Sequence, residues 1–394
     1  MSPSGSKSST SQLPKLNKVT ILHSGKVYFE RILHLIDLSK ESIHLQYYIF
    51  DFDVTGNLVV DHLIAASTRG VKVYLLLDGY ASQELPEKLI VQLKEKGIRF
   101  KFFEPLLKSK YFYFGRRLHH KIFLVDHRIG IIGGLNISDK YNDINNKKGW
   151  LDFAIEFEGE TAKDICILCW KSWRRFPSKM SKTPCEKSAY PLPPIENPAQ
   201  VSMLRNDWVR NKTQITKAYR QLLQSAKSEI IILSSYFLPG RTIRKELENA
   251  SHRGVMIKII SAGRSDVSIA KFAETWLYDW LLRNKIELYE FQDRVLHGKL
   301  GICDDQWFTV GSYNINDISA WASVELNLKI NNQVLTNELK KIIDAEVIPY
   351  SVRIQEENYK SSKTIWSQFR NWCSYLFIRA VLYLFTFYFK KQKH

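Results

Sequence analysis

Segments rich in apolar residues recur along this chain in an order that repeats once. Short apolar runs bounded by turn residues predict buried strands, and segments in which apolar residues return every three or four positions predict helices. The repeated trio of a strand, a helix and a second strand covers residues 40–50, 55–68 and 69–79, and again residues 227–237, 240–252 and 253–263. The pattern therefore predicts two copies of one α/β unit.

Both halves continue in the same order beyond this trio, each with a helix, four more strands and a closing helix. Between the halves, residues 177–200 contain six prolines, which interrupt helices and central strands. We therefore expect one domain at residues 19–176, a linker at 177–200 and a second domain at 201–350.

The two ends of the chain differ in composition. Residues 1–18 are rich in serine and lack the apolar run of a signal peptide, so we expect a disordered tail. Residues 351–394 carry an apolar and aromatic run from Cys373 to Phe389, flanked by basic residues and interrupted by Arg379. Because a spanning helix needs about 20 apolar residues, this pattern favours a C-terminal hydrophobic tail that associates with a membrane surface. A buried core helix and a spanning helix are the alternatives.

A second basic and aromatic segment lies at residues 104–118 and fits a loop. Its candidate membrane contacts are Tyr111, Phe112, Tyr113, Phe114, Arg116 and Arg117. Aromatic and basic side chains together suit the boundary between headgroups and acyl chains. The alternative is a helix packed on the domain.

Charge and cysteine content narrow the range of partners and settings. The 57 basic and 40 acidic residues give a net charge of +17, which favours a nucleic acid or an anionic lipid surface. The five cysteines are odd in number in a long chain, so we expect no disulfide framework and a reducing, cytoplasmic setting. Cys166 and Cys169 fit buried helix residues better than a redox or zinc site, and we expect His127 at the surface.

One motif, H-x-K-x-x-x-x-D, occurs in both halves. Its residues are His119, Lys121 and Asp126 in the first half and His297, Lys299 and Asp304 in the second. Residues two apart on a strand face the same side, so each histidine should project together with its lysine. Phosphodiester exchange needs a nucleophile, an acid for the leaving alkoxide and cations for the phosphoryl oxygens. Two imidazoles and two lysines supply this set without a metal or a cofactor, and one motif supplies only half of it.

Further polar residues follow each motif at equivalent places. The candidates are Gly134, Asn136 and Asp152 in the first half and Ser312, Asn314 and Glu325 in the second. An asparagine amide can donate to a phosphate oxygen, and a small residue lets the backbone approach a ligand. Each carboxylate follows its motif histidine and could fix the tautomer of that ring.

With these residues in hand, the chain resembles the phospholipase D superfamily and, within it, the bacterial cardiolipin synthases, particularly the shorter class B. The resemblance covers roughly residues 19–350. It is carried by residues 119–126 with 131–138, by 297–304 with 310–316, and by the LLLDGY stretch at 75–80.

The resemblance implies two tandem α/β/α sandwich domains, related by pseudo-twofold symmetry around a single site. It implies transfer of a phosphatidyl group from phosphatidylglycerol to the headgroup hydroxyl of a second phospholipid, with glycerol leaving. The transfer would pass through a phosphohistidine, with His119 as nucleophile and His297 as acid and base. Asp126 and Asp304 would stabilise the site without touching phosphate. We expect a peripheral protein on the cytoplasmic face of the cell membrane, bound to phosphatidylglycerol and cardiolipin rather than to nucleic acid, with its oligomeric state open.

Two other classes of function fit parts of the sequence. A hydrolase with the same site would transfer the group from a phospholipid or a nucleic acid to water. A membrane-binding protein without activity would not need two intact motifs. The C-terminal tail and the segment at 104–118 favour a lipid substrate over nucleic acid, for which spaced aromatics in a basic groove are typical.

Overall fold

The computed structural model describes residues 15–105, 116–174, 185, 197–316, 323–361 and 364–391. In the first half, the elements are β1 (Lys15–Leu22), α1 (Gly25–Leu38), β2 (Ser42–Tyr47), α2 (Val54–Thr68), β3 (Lys72–Asp78), α3 (Glu87–Glu95), β4 (Arg99–Phe103), β5 (Arg117–Leu118), β6 (Ile122–Val125), β7 (Ile129–Gly133), β8 (Ala154–Gly159) and α4 (Thr161–Arg174).

The second half contains the same elements in nearly the same order. They are β9 (Ala199–Asp207), β10 (Lys212–Thr213), α5 (Gln214–Ser225), β11 (Glu229–Ser234), α6 (Arg241–His252), β12 (Met256–Ala262), α7 (Ser268–Trp276), α8 (Tyr278–Arg283), β13 (Glu287–Phe291), β14 (Lys299–Cys303), β15 (Trp307–Gly311), β16 (Ser323–Asn331) and α9 (Gln333–Glu346). The chain continues with β17 (Ser351–Arg353), α10 (Glu356–Ser361) and α11 (Ile365–Lys391).

The strands of the two halves are hydrogen-bonded in the same order. The first half runs β4–β3–β2–β6–β7–β8–β1, and the second runs β13–β12–β11–β14–β15–β16–β9. In each order the first three strands are parallel and the others are antiparallel. Because β1 pairs with β9, the halves share one continuous sheet.

The hydrophobic core also joins the halves. One buried cluster lies mainly within the first half and a second within the second half. A third cluster contains Ile122 and Leu124 of β6 together with Leu300 and Ile302 of β14. The two motif strands therefore pack into one core, which places the polar residues at their beginnings close together.

The structure moves three of the predicted boundaries. The prediction that the disordered tail reaches residue 18 is wrong, because β1 begins at Lys15 and pairs with β8 and β9. The predicted linker ends too late, since β9 begins at Ala199. The predicted tail begins too early, since β17 pairs with β13 through Ser351–Arg353. The strands β1 and β9 themselves were not predicted, because they lie outside the repeated trio and only some of their residues are buried.

Two further expectations are wrong, one about disulfides and one about His127. Cys166, on α4, forms a disulfide with Cys185, so one bridge exists although the count of cysteines is odd. His127 is buried: its Nε2 lies 3.1 Å from Ser42 Oγ and its Nδ1 3.3 Å from Cys166 Sγ. The expectation that Cys166 and Cys169 are buried helix residues is confirmed, since both are buried on α4, and Cys169 has no disulfide.

The helix α11 packs against α7 with its polar residues inward. Asn371 and Ser374 are buried, whereas Trp366, Phe369 and Phe377 are 81%, 55% and 57% exposed. A helix of the protein core would have the opposite orientation, so the buried-helix alternative does not hold for these residues. Within the described part of the chain, none of the helices combines the length and the apolar character that crossing a bilayer requires.

Candidate active site

The motif residues meet where β6 and β14 begin. His119 and Lys121 lie in the extended segment between β5 and β6, and His297 lies two residues before β14, whose first residue is Lys299. The strands therefore start later than the sequence predicts. The two-residue period of extended chain nevertheless continues through these segments, so each histidine shares a side with its lysine.

Backbone hydrogen bonds attach each motif to the other half of the chain. His119 N and His120 N donate to Val324 O, at 3.1 and 3.0 Å. His297 N and Gly298 N donate to Leu151 O, at 2.8 and 3.0 Å. The same contact is thus made twice, with the roles of the halves exchanged.

This crossing decides which carboxylate supports which histidine. Glu325 follows Val324, and its Oε2 lies 2.9 Å from His119 Nδ1. Asp152 follows Leu151, and its Oδ2 lies 2.6 Å from His297 Nδ1. The prediction that each carboxylate supports the histidine of its own half is therefore wrong. In both pairs the carboxylate occupies Nδ1, which leaves Nε2 for a substrate.

The predicted small residues, Gly134 and Ser312, lie behind the two carboxylates. Ser312 Oγ donates to Glu325 Oε2 at 2.5 Å, and Leu326 N donates to Ser312 Oγ. At the equivalent place, a Cβ on Gly134 would lie 2.3 Å from Asp152 Oδ1. Ser312 therefore holds the Glu325 carboxylate by a hydrogen bond, whereas Gly134 leaves room for the Asp152 carboxylate.

The two lysines are almost completely buried, and their ammonium groups share one site. Lys121 Nζ donates to His119 O at 2.7 Å and lies 5.3 Å from the centre of the Tyr48 ring. Lys299 Nζ donates to Ser235 Oγ at 3.1 Å and to His297 O. Burial, helped by repulsion from Lys299, lowers the pKa of Lys121 to about 7. Burial also lowers the pKa of Lys299, against the attraction of Asp152 and Glu325.

The pKa values of both histidines and of Asp152 are shifted in the directions expected of a buried, cationic site. Burial lowers the pKa of His119, although Glu325 opposes the shift. Burial and the nearby lysines lower the pKa of His297 well below its ordinary value. Burial raises the pKa of Asp152 to about 7, against the attraction of Lys299. All of these shifts disfavour charge on the buried groups, so an anionic phosphodiester would favour the protonated lysines and histidines.

The two predicted asparagines differ in their contacts. Asn136 Oδ1 accepts from Ile49 N at 3.1 Å, and Asn136 Nδ2 donates to Tyr141 Oη at 2.9 Å. Asn314 is buried, and its Oδ1 has no hydrogen-bond partner among the described residues. Asn136 therefore positions a tyrosine, and only Asn314 keeps an amide oxygen without a protein partner.

Tyr141 is a site residue that the sequence did not predict. Its Oη lies 3.4 Å from His297 Nε2, and its ring packs against the imidazole at 5.1 Å between centroids. By contrast, Tyr48 packs edge-on against His119 at 4.8 Å, and among the described residues no hydrogen-bond partner contacts His119 Nε2. Neither tyrosine belongs to a motif, so only their contacts reveal them.

Asp126 and Asp304 are placed at turns away from the imidazoles. Both have positive φ angles, of 49° and 51°. Asp126 accepts from the backbone of Lys40, Glu41 and Ser42. Asp304 accepts from the backbone of the equivalent residues, Lys227, Ser228 and Glu229. Each carboxylate ties the end of its motif strand to the start of the neighbouring strand.

The predicted membrane contacts are only partly described. Tyr111, Phe112, Tyr113 and Phe114 lie outside the described residues. Arg116 is buried between Asp207 and Glu104, at 3.0 and 3.3 Å, and Arg117 donates to Asp78 and to Glu104 O. The prediction that these two arginines contact lipid is wrong, because their guanidinium groups are occupied by internal partners.

Comparison with known proteins agrees with this site. The family model described as "Cardiolipin synthase, PLD-like domain" matches residues 32–154 and again residues 219–347. Cardiolipin synthase B of Escherichia coli K12 is 30% identical over 92% of this chain and 88% of its own length. Cardiolipin synthase 1 of Bacillus cereus is 28% identical over 89% of this chain and 68% of its own length.

A solved structure supports the fold separately. Phosphatidylserine synthase of Haemophilus influenzae superposes with a TM-score of 0.73, covering 95% of this chain and 97% of that protein at 15% identity. This likeness supports the arrangement of two phospholipase D-like domains. The doubled family match and the extent of the sequence relationship establish that the chain belongs to the cardiolipin synthase family of phospholipase D-like proteins.

Proposed function

We propose that this protein is a cardiolipin synthase that transfers a phosphatidyl group from phosphatidylglycerol to the headgroup hydroxyl of a second phospholipid. The observation that carries the proposal is the pair of imidazoles in one site, each held at Nδ1 by a carboxylate of the opposite half. Two histidines with free Nε2 atoms suit a reaction in which one attacks phosphorus and the other moves a proton.

In the first step, His119 Nε2 attacks phosphorus and the bond from phosphorus to the glycerol oxygen breaks. His297 Nε2–H gives its proton to the departing glycerol. The assignment of His119 as nucleophile rests on its Nε2, which no described residue contacts, whereas Tyr141 Oη lies at the Nε2 of His297. A lowered pKa keeps His119 neutral and able to attack.

In the second step, His297 Nε2 takes the proton from the acceptor hydroxyl. The acceptor oxygen attacks phosphorus, the bond from phosphorus to His119 Nε2 breaks, and cardiolipin is released. Because a phosphodiester is negative, its arrival raises the proton affinity of His297 and of both lysines. The negative charge of the substrate therefore balances the positive charge of His297 and of the two lysines.

Lys121 and Lys299 hold the non-bridging oxygens as negative charge builds up in the transition state. We assign a phosphate contact to the Asn314 amide, whose NH2 group can donate to a phosphoryl oxygen, while Asn136 acts through Tyr141. Lysine point charges take the part that a divalent cation has in other phosphoryl transfers, so we propose a reaction without metal or cofactor.

The proposed organisation adds three features to this chemistry. The two domains are related by a pseudo-twofold axis through the site, which the exchanged contacts of Val324 and Leu151 support. The domains comprise residues 15–176 and 199–353. The C-terminal tail, which includes α11, and the aromatic residues at 111–114 approach an anionic membrane.

We place the protein peripherally on the cytoplasmic face, where anionic lipids attract a chain of net charge +17. The Cys166–Cys185 disulfide weighs against a reducing compartment. Protease accessibility in right-side-out and inverted membrane vesicles tests the side directly. Digestion in right-side-out vesicles alone would contradict the cytoplasmic location.

The function is tested by incubating the purified protein with phosphatidylglycerol vesicles and analysing the lipids by mass spectrometry. We expect cardiolipin and free glycerol in equal amounts, and neither product with the His119→Ala variant. Phosphatidic acid as the main product would indicate a hydrolase. Cleavage of DNA or RNA, with no change in the lipids, would indicate a nuclease.

A further inference from the structure

The side of His297 that faces the substrate is lined by hydroxyl groups. Tyr141 Oη lies 3.4 Å from His297 Nε2 and is fixed by Asn136. Ser235, which contacts Lys299, is followed by Tyr236 at the end of β11. Tyr236 Oη donates a short hydrogen bond to the carboxylate of Asp266. Tyrosine and carboxylate together form a polar pair at the rim.

This pair is close to the reacting groups. Asp266 raises the pKa of His297, of Lys299 and of Tyr141, although burial dominates the shift of each. Tyr236 raises the pKa of the same Tyr141 hydroxyl. In the structure, Tyr236 directly follows Ser235, whose Oγ accepts from Lys299 Nζ, so the pair lies beside the second motif lysine. The Asp266 carboxylate is itself exposed.

A carboxylate at this place needs an explanation, because it repels the phosphodiester that the lysines attract. Its two oxygens can accept hydrogen bonds from an alcohol, and tyrosine hydroxyls can both donate and accept. The pair is suited to the part of the substrate that carries hydroxyl groups instead of negative charge.

The first half has no such pair at the equivalent positions. When residues 40–50 are aligned with residues 227–237, Ile49 takes the place of Tyr236. When the segments that begin at Arg69 and Arg253 are aligned, Ser82 takes the place of Asp266. Ser82 is buried and bonded to the backbone of Phe50 and Tyr48. The tyrosine–carboxylate pair is therefore present in the half that would face the alcohol. It is absent from the equivalent positions of the half that would face the phosphatidyl group.

We propose that Tyr141, Tyr236 and Asp266 form the alcohol subsite, which binds the glycerol headgroup of the donor as it leaves and then the hydroxylated headgroup of the acceptor. The inference rests on the proposed function, because it takes His297 as the proton carrier. The leaving and entering alcohols exchange a proton with the same His297 Nε2, so one subsite serves both.

The test separates the two steps with a donor whose leaving group needs neither acid nor subsite, phosphatidyl-p-nitrophenol. Release of p-nitrophenolate reports formation of the phosphatidyl enzyme. Deuterated glycerol then competes with water, giving labelled phosphatidylglycerol or phosphatidic acid. In Asp266→Asn we expect the ratio of labelled phosphatidylglycerol to phosphatidic acid to fall, with a glycerol concentration for half-maximal transfer that rises about tenfold, because one hydrogen bond to a charged group is lost. This ratio is independent of the rate at which p-nitrophenolate is released. Tyr236→Phe should shift partitioning in the same direction by a smaller factor.

Asp305→Asn is the matched control. Asp305 is an exposed carboxylate of the same half that pairs with Lys340 beyond the far end of β14. Its removal should leave the partitioning between glycerol and water unchanged. Equal glycerol dependence in Asp266→Asn and in the unmodified protein would overturn the subsite. Absence of p-nitrophenolate release from the unmodified protein would instead overturn the proposed function.

Discussion

The two halves of this molecule share a sheet order and a motif, yet they surround their histidines differently. His119 lies against the edge of Tyr48, with Glu325 and Ser312 behind it. His297 has Tyr141 at its Nε2, with Asp152 behind it against a glycine. The duplicated backbone therefore gives the two imidazoles equivalent positions, and side chains outside the motif make their surroundings different.

Each half also supplies the contacts that hold the motif histidine of the other half. The backbone of each histidine segment bonds to the strand of the opposite half, at Val324 and Leu151. The carboxylate that orients each ring comes from the same opposite strand. Neither half alone contains both a motif histidine and the carboxylate that holds its Nδ1, so both halves are needed to build either pair.

The strongest test of this comparison between the two halves is to remove each motif histidine in turn. His119→Ala and His297→Ala should each lower cardiolipin formation by about 10⁴-fold, because the groups act as a unit, and the double variant should be no worse than either single one. Lipid mass spectrometry measures the product. Near-normal turnover in either single variant would contradict the single shared site.

The roles of the two histidines are separated by trapping the intermediate. With labelled phosphatidyl-p-nitrophenol, His297→Ala should accumulate label on His119, since this donor leaves without a proton but the next step lacks its base. Peptide mapping locates the label. Label on His297 in the His119→Ala protein would reverse the assignment.

The crossed carboxylates should have the next largest effect. Glu325→Gln and Asp152→Asn keep the shape of each side chain but weaken its hold on Nδ1, and about a 100-fold loss of kcat is expected from groups that orient a reacting imidazole. NMR of labelled histidine gives a readout beyond activity: Glu325→Gln should shift the resonances of His119 and leave those of His297. The opposite pattern would contradict the crossing.

The sequence could predict the motif residues because their chemistry lies in a short, doubled pattern. It could not predict that Glu325 reaches His119 across 206 positions, since pairing between distant strands depends on how the halves join. The joining strands β1 and β9 are themselves weak in hydrophobic pattern. Tyr141 and the Cys166–Cys185 bridge escaped for a related reason. Tyr141 reaches His297 across 156 positions, and Cys185 lies in the proline-rich linker, which is not part of the repeat.

A pH profile of kcat/KM tests the charge on Lys121, and its expected effect is smaller. Because burial lowers the pKa of Lys121 to about 7, the free enzyme loses this charge as pH rises through that value. The kcat/KM for phosphatidylglycerol should then fall by up to about tenfold for each further pH unit, since kcat/KM follows the free enzyme. Lys121→Arg retains the charge, so its alkaline limb should move to higher pH even if its maximum is lower. A flat profile to pH 9 in the unmodified protein would contradict the shift.

Chelation should have almost no effect, because Lys121 and Lys299 carry the electrostatic role. We expect EDTA to leave the rate unchanged with a short-chain phosphatidylglycerol dispersed in detergent, a form in which divalent cations do not organise the substrate. Restoration of lost activity by magnesium under these conditions would show that the lysines are insufficient.

The smallest effect concerns a feature that only the second half possesses, the α11 helix against α7. Its exposed residues Trp366, Phe369 and Phe377 present apolar surface that no described part of the protein covers, next to the helix that follows Asp266 at the rim of the site. We expect these side chains to enter the membrane interface and to bring the rim to the lipid. Replacing all three by serine should weaken binding to phosphatidylglycerol vesicles strongly, because each aromatic side chain that leaves the interface forfeits up to about 1.5–3 kcal/mol. With lipid in excess, transfer on vesicles should fall only several-fold.

The matched control replaces three exposed apolar residues elsewhere, Leu58, Val334 and Tyr350, by serine. Vesicle sedimentation at low and high salt measures binding, and detergent-dispersed substrate measures the chemistry without a surface. The α11 variant should lose vesicle binding but keep its rate in detergent, while the control variant should keep both. Because salt screens only the basic contribution, high salt should weaken the unmodified protein without abolishing its binding. Resistance of the full-length protein to carbonate extraction, or equal vesicle binding by both variants, would contradict a peripheral attachment through α11.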